Sequence, residues 1–175
     1  MKAVVMHEYG GPDVLKYEDV PDPVPGNGEV LIRIAAASIN PVDLWQRAGA
    51  TKASLRVEFP AIIGWDVSGT VIGLGPEVHE FAVGDHVFAW AFHTYAELCA
   101  VKASVLARIP DGVDLIEAAA LPLVVTGSQL ISVASGVKAG QTVLVSGAVG
   151  GVGRASGGIH PARPRCCSRR RRDCP

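Results

Sequence analysis

Apolar and polar positions alternate in short runs through the first hundred residues. Residues 2–6 and 15–20 read as two short strands. Pro21, Pro23 and Pro25 with Gly26 and Gly28 then make a loop that cannot feed a central strand. In residues 29–38, Val30, Ile32 and Ile34 share one face while Leu31 and Arg33 take the other, the period of a strand. Asn40 can cap and Pro41 can open a short helix ending before Gly49. Residues 62–72, 86–90, 95–101 and 105–109 are further β-rich runs separated by glycine and proline. Short strands at this spacing predict a small, irregular β-barrel.

At Pro110 the texture changes. Asp114 and Glu117 stand at the spacing of a capping box, so a helix is expected from Leu115, broken at Pro122 and resumed from Leu123 to about Ser135, with Gly136 as its stop. Residues 138–140 form a tight loop into QTVLVSGAVGGVG at 141–153. The run from Thr142 to Val145 suits a strand buried on both faces, and Gly147, Gly150, Gly151 and Gly153 follow as a turn. Strand then glycine turn is how a dinucleotide-binding βαβ unit opens. Bare backbone lets a pyrophosphate come close, and the next helix turns its N-terminal N–H groups toward it. That helix is not expected here, because RASGGIHPARPRCCSRRRRDCP at 154–175 has no apolar periodicity.

Charge sharpens this break. The net charge of −1 hides seven arginines against one acid in residues 154–175, or +6, and nine basic against sixteen acidic residues before them, or −7. Such a split fits a nucleic-acid-binding arm. It also fits a change of reading frame near Arg154, and the loss of lysine with a vocabulary of Arg, Pro, Gly, Ala and Cys favours that reading. A coding frame that restores an apolar helix after Gly153 is the sign to seek in the DNA. Cys99 stands alone in the body, which fits a reducing cytoplasm, while Cys166, Cys167 and Cys174 lack the spacing of a zinc site. No apolar run reaches the roughly 18 residues of a membrane span.

Five collinear blocks carry a resemblance: NPVD at 40–43, GWDVSGTV at 64–71, GDHVFA at 84–89, EAAALPLVVTG at 117–127 and GQTVLVSGAVGGVG at 140–153. Over residues 1–153 the sequence resembles the medium-chain dehydrogenase/reductase superfamily, and within it the zinc-free quinone oxidoreductase (zeta-crystallin-like) branch. The resemblance implies a mixed α/β chain. A GroES-like β-barrel catalytic domain over 1–113 leads into connecting helices and the first strand and glycine turn of an incomplete Rossmann domain over 114–153. Residues 154–175 lie outside the resemblance and, from their composition, are expected to be a disordered Arg/Cys-rich tail.

The resemblance also implies NADPH-dependent hydride transfer to a small quinone or activated enone, in a cytoplasmic protein whose relatives are homodimers. It puts Asn40 and Thr126 near the nicotinamide, and Gly147, Ala148, Gly150, Gly151 and Val152 along the pyrophosphate. Asn40, Asp43 and Trp65 are the pocket candidates, with no general acid named. Zinc-dependent members carry cysteine where Asn40 stands, His-Glu at Trp65-Asp66 and a further cysteine near Pro122, so no metal is expected. Plainer readings stand beside these: Asn40 as a helix cap, Thr126 as a satisfied mid-helix hydroxyl, and Trp65 and Trp90 as core or cleft wall. Family members continue far past the glycine turn, and the ribose-recognising residue falls about 20 residues beyond it. The chain is therefore expected to be impaired as a reductase. A non-enzymatic GroES-like interaction module and a basic-tailed nucleic-acid binder are the alternatives.

Overall fold

The runs predicted as strands form two antiparallel sheets in a computed structural model, which describes residues 1–138 and 141–159. The smaller sheet has the order β2-β1-β4, from β1 (Lys2–Met6), β2 (Leu15–Asp19) and β4 (Ala61–Ile62). The larger has the order β7-β3-β5-β6-β8, from β3 (Glu29–Ala36), β5 (Asp66–Leu74), β6 (His86–Trp90), β7 (Leu98–Lys102) and β8 (Leu106–Arg108). A bridge between Ala3 and Ala96 joins them, with Val4 N–H donating to Tyr95 O at 2.8 Å and Glu97 N–H to Lys2 O at 3.0 Å.

The alternation that predicted β3 also fills the core. Val30 and Ile32 are fully buried with Val67, Val71 and Val87. Each such side chain stabilises the fold by about 1.5–3 kcal/mol relative to exposure. Helix α1 (Pro41–Arg47) starts after Asn40 as expected, and Gly49 N–H and Ala50 N–H close it on the carbonyls of Gln46 and Trp45.

The chain divides into two compact units, Met1–Ala120 and the part from Leu121 onward. The first runs past the barrel end expected at 113. Ser68 donates to Leu115 O at 2.6 Å, and Ala118 and Ala119 are buried.

Three expectations fail after Asp114. Its carboxylate does accept the N–H groups of Ile116 and Glu117, but the chain then makes a 3-10 turn at Glu117–Ala120 rather than a helix from Leu115. Pro122 breaks nothing, because it sits in the first turn of α2 (Leu121–Gln129), where its missing N–H leaves no helical bond unmade. A π-helical turn at Leu130–Ala134 continues α2 up to Gly136, the expected stop. The path Glu117–Ala134 reaches a mean hydropathy of 1.4, enough to cross a membrane by length and composition alone.

The second failure is the strand. Residues 142–145 are not in a strand, and Leu144 is 89 % exposed. A run buried on both faces needs a hydrogen-bonded neighbour on each edge, and no described residue supplies one. The third is the helix after the glycine turn, which is present as α3 (Gly151–Ile159). A search for large apolar residues at helical spacing misses it because its contact face is built from small residues. A Cβ on Gly127 would stand 2.6 Å from the Ala155 Cβ, and Ser156 donates to Gly127 O at 3.0 Å. The loop residues 139 and 140 and the Arg/Cys tail from 160 lie outside the described residues.

Candidate active site

A polar cluster forms where α1 meets the start of β5. The Asn40 side-chain amide donates to Asp66 Oδ2 at 2.8 Å and to Ser38 Oγ at 3.0 Å, and Ser38 Oγ donates to the same Asp66 oxygen at 2.5 Å. The Asn40 backbone N–H donates to Asp43 Oδ2 at 2.6 Å, and Asp43 N–H to Asn40 O at 3.0 Å. One residue thus ties together the two buried carboxylates, Asp43 at 2 % and Asp66 at 3 % exposure. Asn40 is both the helix cap that local pattern suggested and a cross-link between α1 and β5.

Asp43 Oδ1 and the Tyr95 hydroxyl oxygen are buried without hydrogen-bond partners, and each perturbs the other's titration. Burial is the main force raising the Asp43 pKa above the usual carboxylate range. The Asn40 N–H and the Tyr95 hydroxyl oppose it, and the Asp66 charge adds to it. Burial first, then the Asp43 carboxylate, raises the Tyr95 pKa and keeps that phenol protonated.

The Asp43 contribution to stability is therefore fully present below the ordinary carboxylate pKa of 3.8 and lost as pH rises through its raised folded value. Asp43→Asn keeps an acceptor for Asn40 and removes the charge. Its melting temperature should exceed that of the wild type at pH 8, with the advantage shrinking toward pH 4. An advantage that grew on acidification would refute the assignment.

Trp65 lies beside this cluster. Its Nε1–H donates to Gln46 Oε1 at 3.0 Å, which fixes the indole against α1. Its ring meets Phe92 at 4.7 Å and Trp90 at 5.2 Å, and Trp90 meets Phe92 at 5.3 Å. Asp66 pairs with Trp90 across β5 and β6, so their side chains rise from the same face of the sheet. A cavity of 560 Å³ shares Phe92 with this cluster and is also lined by Val5, His7, Ile62, Leu98 and Cys99, among others. Burial pushes the Cys99 thiol up to about 12, so it is no nucleophile.

The zinc positions implied by the resemblance hold groups that do not fit zinc. Asp66 Oδ2 already accepts two hydrogen bonds, the Asn40 amide nitrogen is a donor, and Trp65 offers only an N–H. Zinc takes about four N, S or O ligands. Among the described residues no group of three His, Cys, Asp or Glu gathers.

The remaining candidates lie in the second unit. Thr126 is on α2, with its hydroxyl donating to Pro122 O at 3.1 Å, the satisfied mid-helix arrangement. Gly147 takes φ +71° and accepts the Gly150 N–H at 2.9 Å. Ala148 lies in that turn, and Gly151 and Val152 begin α3. A Cβ on Gly153 would meet Gly147 O at 2.2 Å, so the turn folds onto the helix start as only bare backbone can. This part fits a pyrophosphate at a helix N-terminus.

Sequence reading missed Ser38, Tyr95 and Phe92. Ser38 carries a local signal, since in extended chain it faces the same way as Asn40 two residues on. Tyr95 and Phe92 join through long-range pairing that leaves no local trace.

Residues 26–111 match the alcohol dehydrogenase GroES-like domain. The chain is 37% identical over 164 residues to an NADPH-dependent alkenal/one oxidoreductase, chloroplastic, of Arabidopsis thaliana, covering 87% of this chain and 42% of the relative. It is 36% identical to the quinone oxidoreductase of Mus musculus, covering 89% and 48%. Among solved structures, mycobacterial Rv1454c complexed with NADPH superposes with a TM-score of 0.82 at 39% identity, over 90% of this chain and 48% of that one. The chain spans about half the length of the curated relatives it matches.

Proposed function

Because the chain belongs to the medium-chain dehydrogenase/reductase superfamily, we propose that its first unit is the substrate half of an NADPH-dependent, zinc-independent reductase of quinones or activated enones. The observation that carries this reading is the Asn40–Asp66–Ser38 cluster. It fills the zinc positions with mutually satisfied hydrogen bonds and leaves a rigid polar floor beside an aromatic wall. Bound NADPH would supply the hydride; the protein's work is to orient the acceptor and keep water out. Gly147, Ala148, Gly150, Gly151 and Val152 would hold the pyrophosphate, with Asn40 and Thr126 toward the nicotinamide. Asp43 holds Asn40 in place, and Trp65 backs the wall. The single thiol of residues 1–153, Cys99, supports a cytoplasmic setting.

The 175-residue chain itself is a weak cofactor binder in this reading. Val124, Val125, Leu130, Val133, Leu144 and Val149 are exposed in the second unit. A cradle whose leading segment, residues 142–145, forms no strand is not pre-organised, and ordering it on binding costs affinity. Titration of NADPH, followed by nicotinamide fluorescence, should give saturable binding with a Kd on the order of 100 μM. Gly153→Val, which drives a side chain into the Gly147 carbonyl, should abolish it. Equal signals from chain and variant would defeat the cofactor reading, and submicromolar binding would defeat the impairment.

A further inference from the structure

The aromatic residues beside Asn40 are placed for more than packing. We infer that Trp90 and Phe92, backed by Trp65, form a platform that selects planar fused-ring acceptors over aliphatic enones. This rests on the reductase reading above and deepens it. The two relatives divide on the point, one being a quinone oxidoreductase and the other an alkenal/one oxidoreductase, so the choice lies in this chain's own site.

Exposure separates the three rings. Trp65 is 5 % exposed and pinned by Gln46, whereas Trp90 is 52 % and Phe92 46 % exposed. Apolar rings kept only for the core would be covered. Instead Trp65 acts as a fixed backing on which two open rings lean, with centroids 4.7–5.3 Å apart. Phe92 meets both tryptophans edge-to-face, at interplanar angles of 62° and 61°, and the two indoles are tilted at 45°, so each ring holds its neighbours' orientation. Orientation of the platform is thus set before any ligand arrives.

Position gives the platform its use. Trp90 is the cross-strand partner of Asp66, and Asp66 holds the Asn40 amide, so an open indole stands one residue pair from the polar floor. An acceptor lying on Trp90 and Phe92 has its polar edge near that floor. The indole face is electron-rich and a quinone ring is electron-poor, so a bicyclic quinone stacks over a large area. A small aliphatic enone presents no extended π-face, and gains little from the same rings.

The test uses the full chain with two probes, 2,3-dimethyl-1,4-naphthoquinone and cyclohex-2-enone. The methyl groups block the quinone carbons that thiols attack, so addition of a thiol to the ring contributes no covalent signal. Affinities are read by ligand-observed NMR. The naphthoquinone should bind at least about tenfold more tightly than the enone. Trp90→Ala and Phe92→Ala should each erase most of that preference while changing the enone affinity by less than about twofold, and Trp90→Tyr, which keeps a ring, should restore most of it. Equal affinities for the two probes, absent naphthoquinone binding, or a preference unmoved by Trp90→Ala would overturn the platform. A lasting naphthoquinone preference with no NADPH binding would keep the platform and sink the reductase reading; NADPH binding without the preference would do the reverse.

Discussion

Replacing Asn40 by aspartate will destabilise the first unit by about 3 kcal/mol at pH 8, and by clearly less at pH 5. The two side chains are nearly isosteric, and aspartate caps a helix as well as asparagine, so neither packing nor the start of α1 changes. What changes is the amide. Its two donated bonds, to Ser38 Oγ and Asp66 Oδ2, are lost. A third carboxylate then joins two that are already buried. Asp43 is raised chiefly by burial and further by the Asp66 charge, and a new neighbour of the same sign pushes in the same direction. A carboxyl with a raised folded pKa costs stability as pH rises through that value, so acid relieves the variant. Denaturant unfolding at the two pH values measures both effects. A variant as stable as the wild type at pH 8, or one penalised equally at pH 5, would show that the cluster does not cross-link α1 to β5.

Gly69→Ala should be as damaging, and for a reason free of electrostatics. Gly69 lies on β5, the central strand of the larger sheet, opposite Ile34 of β3. A Cβ there would stand 2.2 Å from the Arg33 carbonyl oxygen and 2.7 Å from Ile32 Cγ2. The first obstacle is backbone, held in the β3–β5 ladder beside a register shift between Ile34 and Ala36, and it cannot swing aside as a side-chain tip could. Overpacking of this kind costs up to about 3 kcal/mol or more. At about 4 °C per kcal/mol for a unit of Met1–Ala120, the melting temperature should fall by about 10 °C. A drop of only a degree or two would mean that β3 and β5 are not so closely paired. Within the block GWDVSGTV, this glycine is thus required by the approach of two strands rather than by any contact with substrate.

How much of the fold is legible in the sequence depends on the range of the interactions involved. The alternation of Val30, Ile32 and Ile34 is a local pattern, and β3 forms where it predicts. The Asn40-Pro41 start of α1 is likewise written within a few residues. Residues 142–145 mislead because the pattern of a doubly buried strand assumes neighbours that the described residues do not provide. Helix α3 is hidden for the opposite reason: Gly127, Ala155 and Ser156 bring two helices together through smallness, which a hydrophobic period cannot register. In the candidate site, Asn40, Asp43 and Trp65 are identifiable from sequence, and the structure gathers them in the first unit. Ser38 is a local partner of Asn40, two residues away, whereas Asp66 and Trp90 become partners only through strand pairing and the approach of Asn40 to β5. In the second unit the Thr126 hydroxyl bonds back to Pro122 O, and Gly147 takes the positive φ of a tight turn.

The two units differ in one decisive respect: the first has a core of buried large apolar side chains, and the described part of the second has none. Native-state hydrogen exchange on the whole chain measures that contrast directly. The amides of Ile32, Val67, Val71 and Val87 should exchange only on global unfolding of the first unit, while those of residues 142–146 and α3 should exchange at least about a hundredfold faster. Equal, strong protection from β1 through α3 would contradict the contrast, because it would mean that the glycine turn already rests on a finished core.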